Sequence, residues 1–455
     1  MGREHSLLDV FENAPLTRRY WWVYGAVTLQ ICCELFDFIV VGFLLVAVAT
    51  QWHLTFGQST LILLSAGIGT VVGGPLFGWL GDRFGRRTAI LLGTLVYCGC
   101  AGGIALIPDG AWLSFALLRF MLGVGYGGAG ANQFALIVEL TPTRHRTVLT
   151  SGLGVPASLG VVCASLIVAA LYPLLGWRGT AALGLLPVFV GIALVTIAPE
   201  SPRWLLANGF TDRARVAIAK MMMRSVETLP VAEASVEERR APASIRELLH
   251  EPRRFCLVVG TQLGLGAALS GVLLWGPAVF AQLLDATPAQ AAKAFLWVSI
   301  AGLMGRVAFA YLPHRVGRVR TGFISGLGGA VLLASAALLH EEHLGMLPLF
   351  PLLIALAQFF YDGGYSNLNP YAIEVFPSRI AALGGGLASA AGGIGKIVGP
   401  LALGLIAGVD NFVTPQATQS AIQPGFLFLA GCALAAALCF KYLGIETHHQ
   451  ALRLD

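Results

Sequence analysis

The chain has 455 residues, 56% of them apolar and only 12% charged, a balance that carries far too much hydrocarbon for a water-soluble protein. It reads as a polytopic membrane protein, and its formal net charge of +5 resides in loops, with no basic, aromatic-interleaved face that would suit nucleic acid. The eight cysteines fall within or at the edges of apolar runs as small packing residues. No His accompanies them at ligand spacing, so neither a metal nor a cofactor is expected.

A bilayer core of roughly 30 Å needs about 20 apolar residues per helix. Twelve runs meet that requirement: 21–49, 57–80, 88–107, 112–138, 148–175, 179–198, 255–284, 291–312, 320–339, 345–372, 382–408 and 424–443. The first is too long for a signal peptide and lacks a small-residue cleavage site, so it is read as a retained helix. Lys and Arg concentrate in short cytoplasmic loops, and here they alternate. Arg18 and Arg19, then Arg83, Arg86 and Arg87, then Arg144 and Arg146, the segment from Arg203 to Arg254, Arg315, Arg318, Arg320, Arg379 and Lys441 share one side. The other side holds only Arg178 and Lys293. Both termini are therefore expected in the cytoplasm.

The first helix carries Glu34 and Asp37 in CCELFDFIVVGF. Ionisable groups inside hydrocarbon are costly unless paired or hydrated, which makes each a candidate for function. Three residues apart, the two carboxylates fall on one helix face and suit a proton-coupling group; alternatively one of them makes a fixed pair with Arg119 or Lys396. After the second helix comes GWLGDRFGRR, from Gly78 to Arg87, with Asp82, Arg83, Gly85, Arg86 and Arg87 as candidates for a cytoplasmic gate. The fourth helix offers Arg119, Asn132 and Gln133, and the fifth opens with SGLGVPASLG, Ser151 to Gly160.

Pro199 to Arg254 is the longest polar segment and begins PESPRWLL. Its prolines stop the helix, Glu200 and Arg203 can pair at the membrane surface, and Trp204 can anchor among headgroups; the segment is either a helix stop or part of the gate. No GxxxxGK[ST] loop occurs, which argues against a nucleotide-driven pump. The eighth helix contributes Arg306. The tenth contributes Gln358, Tyr361, Asp362, Tyr365 and Asn367, and the seventh Gln262. Phe36, Phe38 and Trp275 either pack or stack a flat solute. In the eleventh helix, GGIGKIVGP places Lys396 among glycines, where the amine either enters a cavity or snorkels to the surface.

An internal repeat organises these elements. GAGANQFALIVELTPTR lines up with GGYSNLNPYAIEVFPSR, matching Asn132, Glu139, Pro142 and Arg144 with Asn367, Glu374, Pro377 and Arg379. Two related halves follow, with a solute site expected between them near the bilayer midplane. The second copy of the opening loop, PHRVGRV, has His314 at the position of Asp82. A gating latch is therefore expected mainly in the first half.

The spacing Gly-x-x-x-Asp-Arg-x-Gly-Arg-Arg resembles the loop between the second and third helices of major facilitator superfamily transporters. With the matched Glu-Pro-Arg helix ends, PESPRWLL and the GxGKxxGP turn, the resemblance spans nearly the whole chain. It implies an all-α membrane protein with 12 transmembrane helices in two pseudo-symmetric six-helix bundles, 1–198 and 255–455, joined by a cytoplasmic linker at 199–254. PESPRWLL itself resembles a signature of sugar porters and related organic-ion transporters. The chain looks most like bacterial aromatic-acid/proton symporters and nicotinate-type carriers, which carry Asp-Gly-Tyr-Asp in the first helix and a basic residue, usually Arg, in the eleventh. Here those positions read Glu34-Leu35-Phe36-Asp37 and Lys396.

The resemblance implies a monomeric secondary transporter of a bacterial inner membrane, not an enzyme. Its partners would be a proton, the bilayer and a small organic, aromatic carboxylate. Lys396 would bind the solute, and Asp37, helped by Glu34, would carry the proton. Alternatives are a sugar or other metabolite symporter, although Gln262 is followed by LGLGAALSGVLLW, too apolar for a polyol. A drug or metabolite exporter and a non-transporting sensor are the further alternatives.

Overall fold

The computed structural model describes residues 7–230, 245–345, 347–377 and 380–447. Six long helices open the chain: α1 (Arg18–Gln51), α2 (Phe56–Phe84), α3 (Arg86–Ile104), α4 (Trp112–Leu140), α5 (Gly154–Ala182) and α6 (Pro187–Ile197). Six more close it: α7 (Pro252–Leu283), α8 (Pro288–Tyr311), α9 (Arg318–Leu338), α10 (Leu349–Glu374), α11 (Ala381–Ala407) and α12 (Pro415–Leu443). Between the sets lie short helices, among them Pro202–Ala207 and a linker helix, Thr211–Met222. A two-residue antiparallel pairing, His343–Leu344 with Leu347–Pro348, precedes α10.

Local chemistry explains where these helices start. Thr17 accepts from the Tyr20 N–H at the head of α1. Thr55 with Gln58, and Thr287 with Gln290, form reciprocal capping boxes for α2 and α8. Pro252, Pro288 and Pro415 occupy first helical positions, where a missing N–H costs nothing.

Among the described residues ten segments are long and apolar enough to cross a membrane. One of them, Thr143–Ile197, is 55 residues long and doubles back at Gly176, whose φ of 62° and ψ of −172° break the helix. The returning arm runs through the turn Leu183–Leu185 into α6. With that segment counted as two passes and α10 added, twelve passes result, in the positions expected from the apolar runs.

The halves meet firmly at the end remote from the termini. The Phe56 N–H donates to the Asn411 carbonyl at 2.8 Å, Gly57 N–H to Val409 at 2.9 Å, and Val413 N–H to Leu54 at 3.1 Å. Trp275 belongs to this seal rather than to a solute platform. Its Nε1 donates to the Pro400 carbonyl at 3.1 Å and its ring lies 5.6 Å from that of Phe56.

Candidate functional site

Phe38 of α1 meets aromatic and cationic groups from both halves. From within its own half, the Arg119 guanidinium lies 5.9 Å from the ring and the Tyr126 ring 5.6 Å away, tilted by 34°. From the other half, the Lys396 Nζ lies 5.8 Å from the ring centroid. The amine therefore does not snorkel to the surface. It sits near the middle of α11 and enters no ion pair among the described residues. The glycines around it permit this placement: a Cβ on Gly399 would collide with the Ala267 carbonyl of α7, so α11 and α7 can touch only backbone to backbone.

The two acids of α1 diverge more than their spacing suggests. Glu34 Oε1 accepts from Gln133 Nε2 at 2.6 Å, towards α4. Asp37 points into the first bundle, where a Cβ on Gly184 would approach its Oδ1 to 2.5 Å. Both are 2% exposed. Arg119 does not pair with either carboxylate. It donates to the main-chain carbonyls of Asp37 at 2.9 Å and Phe38 at 3.0 Å, and Asp37 Oδ2 has no hydrogen-bond partner among the described residues. Asp37 thus has a buried cation nearby and a lone oxygen free to take a proton.

On the side nearer the termini an ion pair within the second half, Arg306 with Asp362, reaches across to the first. Arg306 of α8 donates from Nε to Asp362 Oδ1 at 2.8 Å and from Nη1 to the Gly154 carbonyl of α5 at 2.7 Å. Ser158 of α5 donates to Asp362 Oδ2 at 3.2 Å, and Ser165 and Ser299 share a hydrogen bond at 2.8 Å. Asp362 is therefore a bridge residue, not an open solute ligand. Its neighbour Tyr361 is also displaced from the expected site: it is fully buried against Gly329 of α9. Tyr365 does face the junction, 5.9 Å from Arg306 and close to Gly266 and Gly392. Gln262 reaches the same glycine, Gly392, while Gln358 packs at Gly302 beside Asp362.

The opening loop forms a compact latch. Arg86 pairs with Asp82 at 2.7 Å and with Glu139 at 3.2 Å. Glu200 caps the head of α3, accepting from the N–H of Arg86 at 2.9 Å and of Arg87 at 3.2 Å; an anion at a helix N-terminus satisfies free donors and the helix dipole together. Arg87 donates to the Val195 carbonyl. Gly85 is required here, since its φ is +96° and a Cβ would lie 2.5 Å from the Glu200 carboxylate.

Several expectations are corrected by this geometry. Glu200 pairs with the α3 terminus, not with Arg203, which pairs instead with Glu12. Trp204 donates to the Asp82 carbonyl at 2.7 Å, which ties the start of the linker to the opening loop. Asn132 lies in the latch and not the solute path, donating to the Phe77 and Gly128 carbonyls at 2.9 Å each. Gly78 has open space around it, so it is not needed for close approach. Arg83 lies over Trp79 and Phe84, and Arg144 is exposed; neither joins the network. Arg379 lies outside the described residues.

The second half holds a latch of its own. Gly317, at φ +90°, repeats Gly85, and Glu446 repeats Glu200 by accepting from the N–H of Arg318 at 2.8 Å and of Val319 at 3.2 Å. Arg318 grips Glu374 at 3.0 and 2.6 Å and Asn367 at 3.2 Å, which takes Asn367 out of the solute path as well. His314 has removed only the counterpart of Asp82, so the latch is not confined to the first half. Glu446 escaped notice because GIETHH, read alone, has neither the prolines nor the Trp of PESPRWLL; its position just after the last apolar run was the available signal.

Glu12 ties the N-terminal segment to this face. Partial burial works against its charge, yet the hydroxyl of Thr143 at 2.8 Å and the guanidinium groups of Arg203 and Arg146 hold its carboxyl below the ordinary range.

Residues 27–400 match the family model of the Major Facilitator Superfamily. Among curated proteins, the niacin transporter NiaP of Acinetobacter baylyi is 25% identical, over 98% of this chain and 99% of its own length. The 4-hydroxybenzoate transporter PcaK of Pseudomonas putida is 26% identical, over 88% of this chain and 89% of its own. Among solved structures, the inward open conformation of the xylose transporter XylE from E. coli superimposes with a TM-score of 0.71 at 21% identity, covering 95% of this chain and 98% of that one.

Proposed function

The chain belongs to the major facilitator superfamily and is a multi-pass membrane transporter, and from that premise we propose that it carries a small aromatic carboxylate together with a proton. Residues 1–198 and 255–455 are the two moving bodies, 199–254 is their connector, and both termini lie in the cytoplasm. The observation that carries this reading is Lys396: a cation in no ion pair among the described residues, delivered from the second half onto the Phe38 ring of the first. An amine beside Phe38 and Tyr126 offers a carboxylate its counter-charge and a flat ring its stacking partner. The relatives named for niacin and 4-hydroxybenzoate support the same class.

Asp37 supplies the coupling. Its Oδ2, buried and without a hydrogen-bond partner among the described residues, takes up a proton on one side of the cycle and releases it on the other, beside the Arg119 that binds the Asp37 main-chain carbonyl. Glu34, held by Gln133, assists. Anion plus proton moves as a neutral load and avoids about 2.3 kcal/mol per charge per 100 mV of opposing potential. A thermal-shift screen of the purified protein against carboxylates, sugars and amines tests the substrate class, because a ligand that binds the folded state stabilises it. Stabilisation by benzoate- or nicotinate-like acids is expected; stabilisation confined to sugars overturns it.

A further inference from the structure

A second site lies on the side of the termini, far from Lys396. The first turn of α1, the last turn of α6 and the linker helix Thr211–Met222 enclose an open groove of about 950 Å³, within the range of about 300–1,000 Å³ typical of small-ligand sites. Four cations line it: Arg18 and Arg19 from α1, and Lys220 and Arg224 from the linker. Among the described residues Glu227 is the one acid that lines it, and it accepts a hydrogen bond from Ser225. Arg18, Lys220 and Arg224 are exposed and in no ion pair among the described residues. The Arg19 Nη2 donates to the Ile197 carbonyl at 3.1 Å, while its buried Nε has no hydrogen-bond partner among the described residues.

The groove is also apolar where it meets the bundle surface. Trp22 is 59% exposed and Met223 63% exposed on its walls. Met223 is turned outwards by its left-handed φ of 53° at the end of the linker helix. The linker is fixed in this position, since Thr17 donates to the Met221 carbonyl at 2.6 Å and Arg215 binds the Leu229 carbonyl at 2.9 Å. Helix ends at Arg18 and Ile197 put the groove at the level where hydrocarbon gives way to headgroups, and an exposed Trp is the residue expected at that boundary.

We propose that this groove binds an anionic phospholipid of the leaflet on the termini side, its phosphate held by Arg18, Arg19, Lys220 and Arg224 and its upper acyl chains against Trp22 and Met223. Unpaired basic residues at a bilayer surface attract anionic headgroups, and the apolar wall selects a lipid over a soluble phosphate. A bound lipid would also join the linker to α1 and α6, elements of one bundle.

The test is native mass spectrometry of the delipidated, purified full chain offered phosphatidylglycerol or phosphatidylcholine. Selective retention of phosphatidylglycerol is expected. It should fall about fivefold for each cation removed and about thirtyfold in Lys220→Gln/Arg224→Gln, with the unfolding midpoint in phosphatidylcholine unchanged. In the wild type the selectivity should shrink in ~1 M salt, where the screening length is about 3 Å. Equal retention of both lipids, or retention untouched by the double substitution, overturns the site. Equal stabilisation by glycerol 3-phosphate alone overturns the lipid assignment.

Discussion

Lys396 holds the most consequential position of any single residue. An amine within hydrocarbon is expensive, and here the Phe38 face repays only part of that cost through a cation–π contact of about 0.5–2 kcal/mol. A carboxylate arriving at the junction adds a charge-assisted hydrogen bond worth about 1.5–3 kcal/mol. Lys396→Gln should therefore weaken binding of an aromatic acid by roughly 10- to 150-fold, measured by titration calorimetry, while Lys396→Arg retains most of it. Unchanged affinity in Lys396→Gln would remove the residue from the solute site. Arg306 is the contrasting cation: it is consumed by Asp362 and the Gly154 carbonyl, so its loss frees a buried carboxylate instead of a binding site.

At the scale of elements, the two latches make a symmetric experiment possible. Glu200 caps α3 and Glu446 caps α9 through the same pair of main-chain donors. Loss of a helix cap costs about 0.5–2 kcal/mol, so Glu200→Gln and Glu446→Gln should lower thermal stability by similar amounts, read from paired unfolding curves. A much smaller effect of Glu446→Gln would mean that the second latch does not contribute. The helices themselves were plain in the sequence, because each needs about 20 apolar residues and the basic loops separate them. Pairings across helices were not. Glu200 could reach Arg203 by local spacing, yet three main-chain donors, the N–H groups of Arg86, Arg87 and Ser201, take the same carboxylate. Asn132 and Tyr361 were likewise identifiable as polar residues within helices, but a period of 3.6 residues does not say which neighbour a face will meet.

For the whole molecule, the distribution of contacts describes a transporter in one of its states. Main-chain hydrogen bonds between Leu54–Gly57 and Val409–Val413 seal one end. Near the other, the halves are held by Arg306 donating to the Gly154 carbonyl and by Ser158 donating to Asp362. Rocking of the bundles must break one set to form another, and the proton on Asp37 is what links that exchange to the solute in this account. Interhelix glycines such as Gly399 make the exchange possible by keeping α7 and α11 in backbone contact as one rigid unit. The most direct measurement is uptake of radiolabelled benzoate and nicotinate into proteoliposomes with and without an imposed inward proton gradient, in the wild type and in Asp37→Asn. Accumulation driven by the gradient in the wild type, with only gradient-independent exchange left in Asp37→Asn, is the predicted result; uptake indifferent to the gradient, or full gradient-driven uptake in Asp37→Asn, would contradict it.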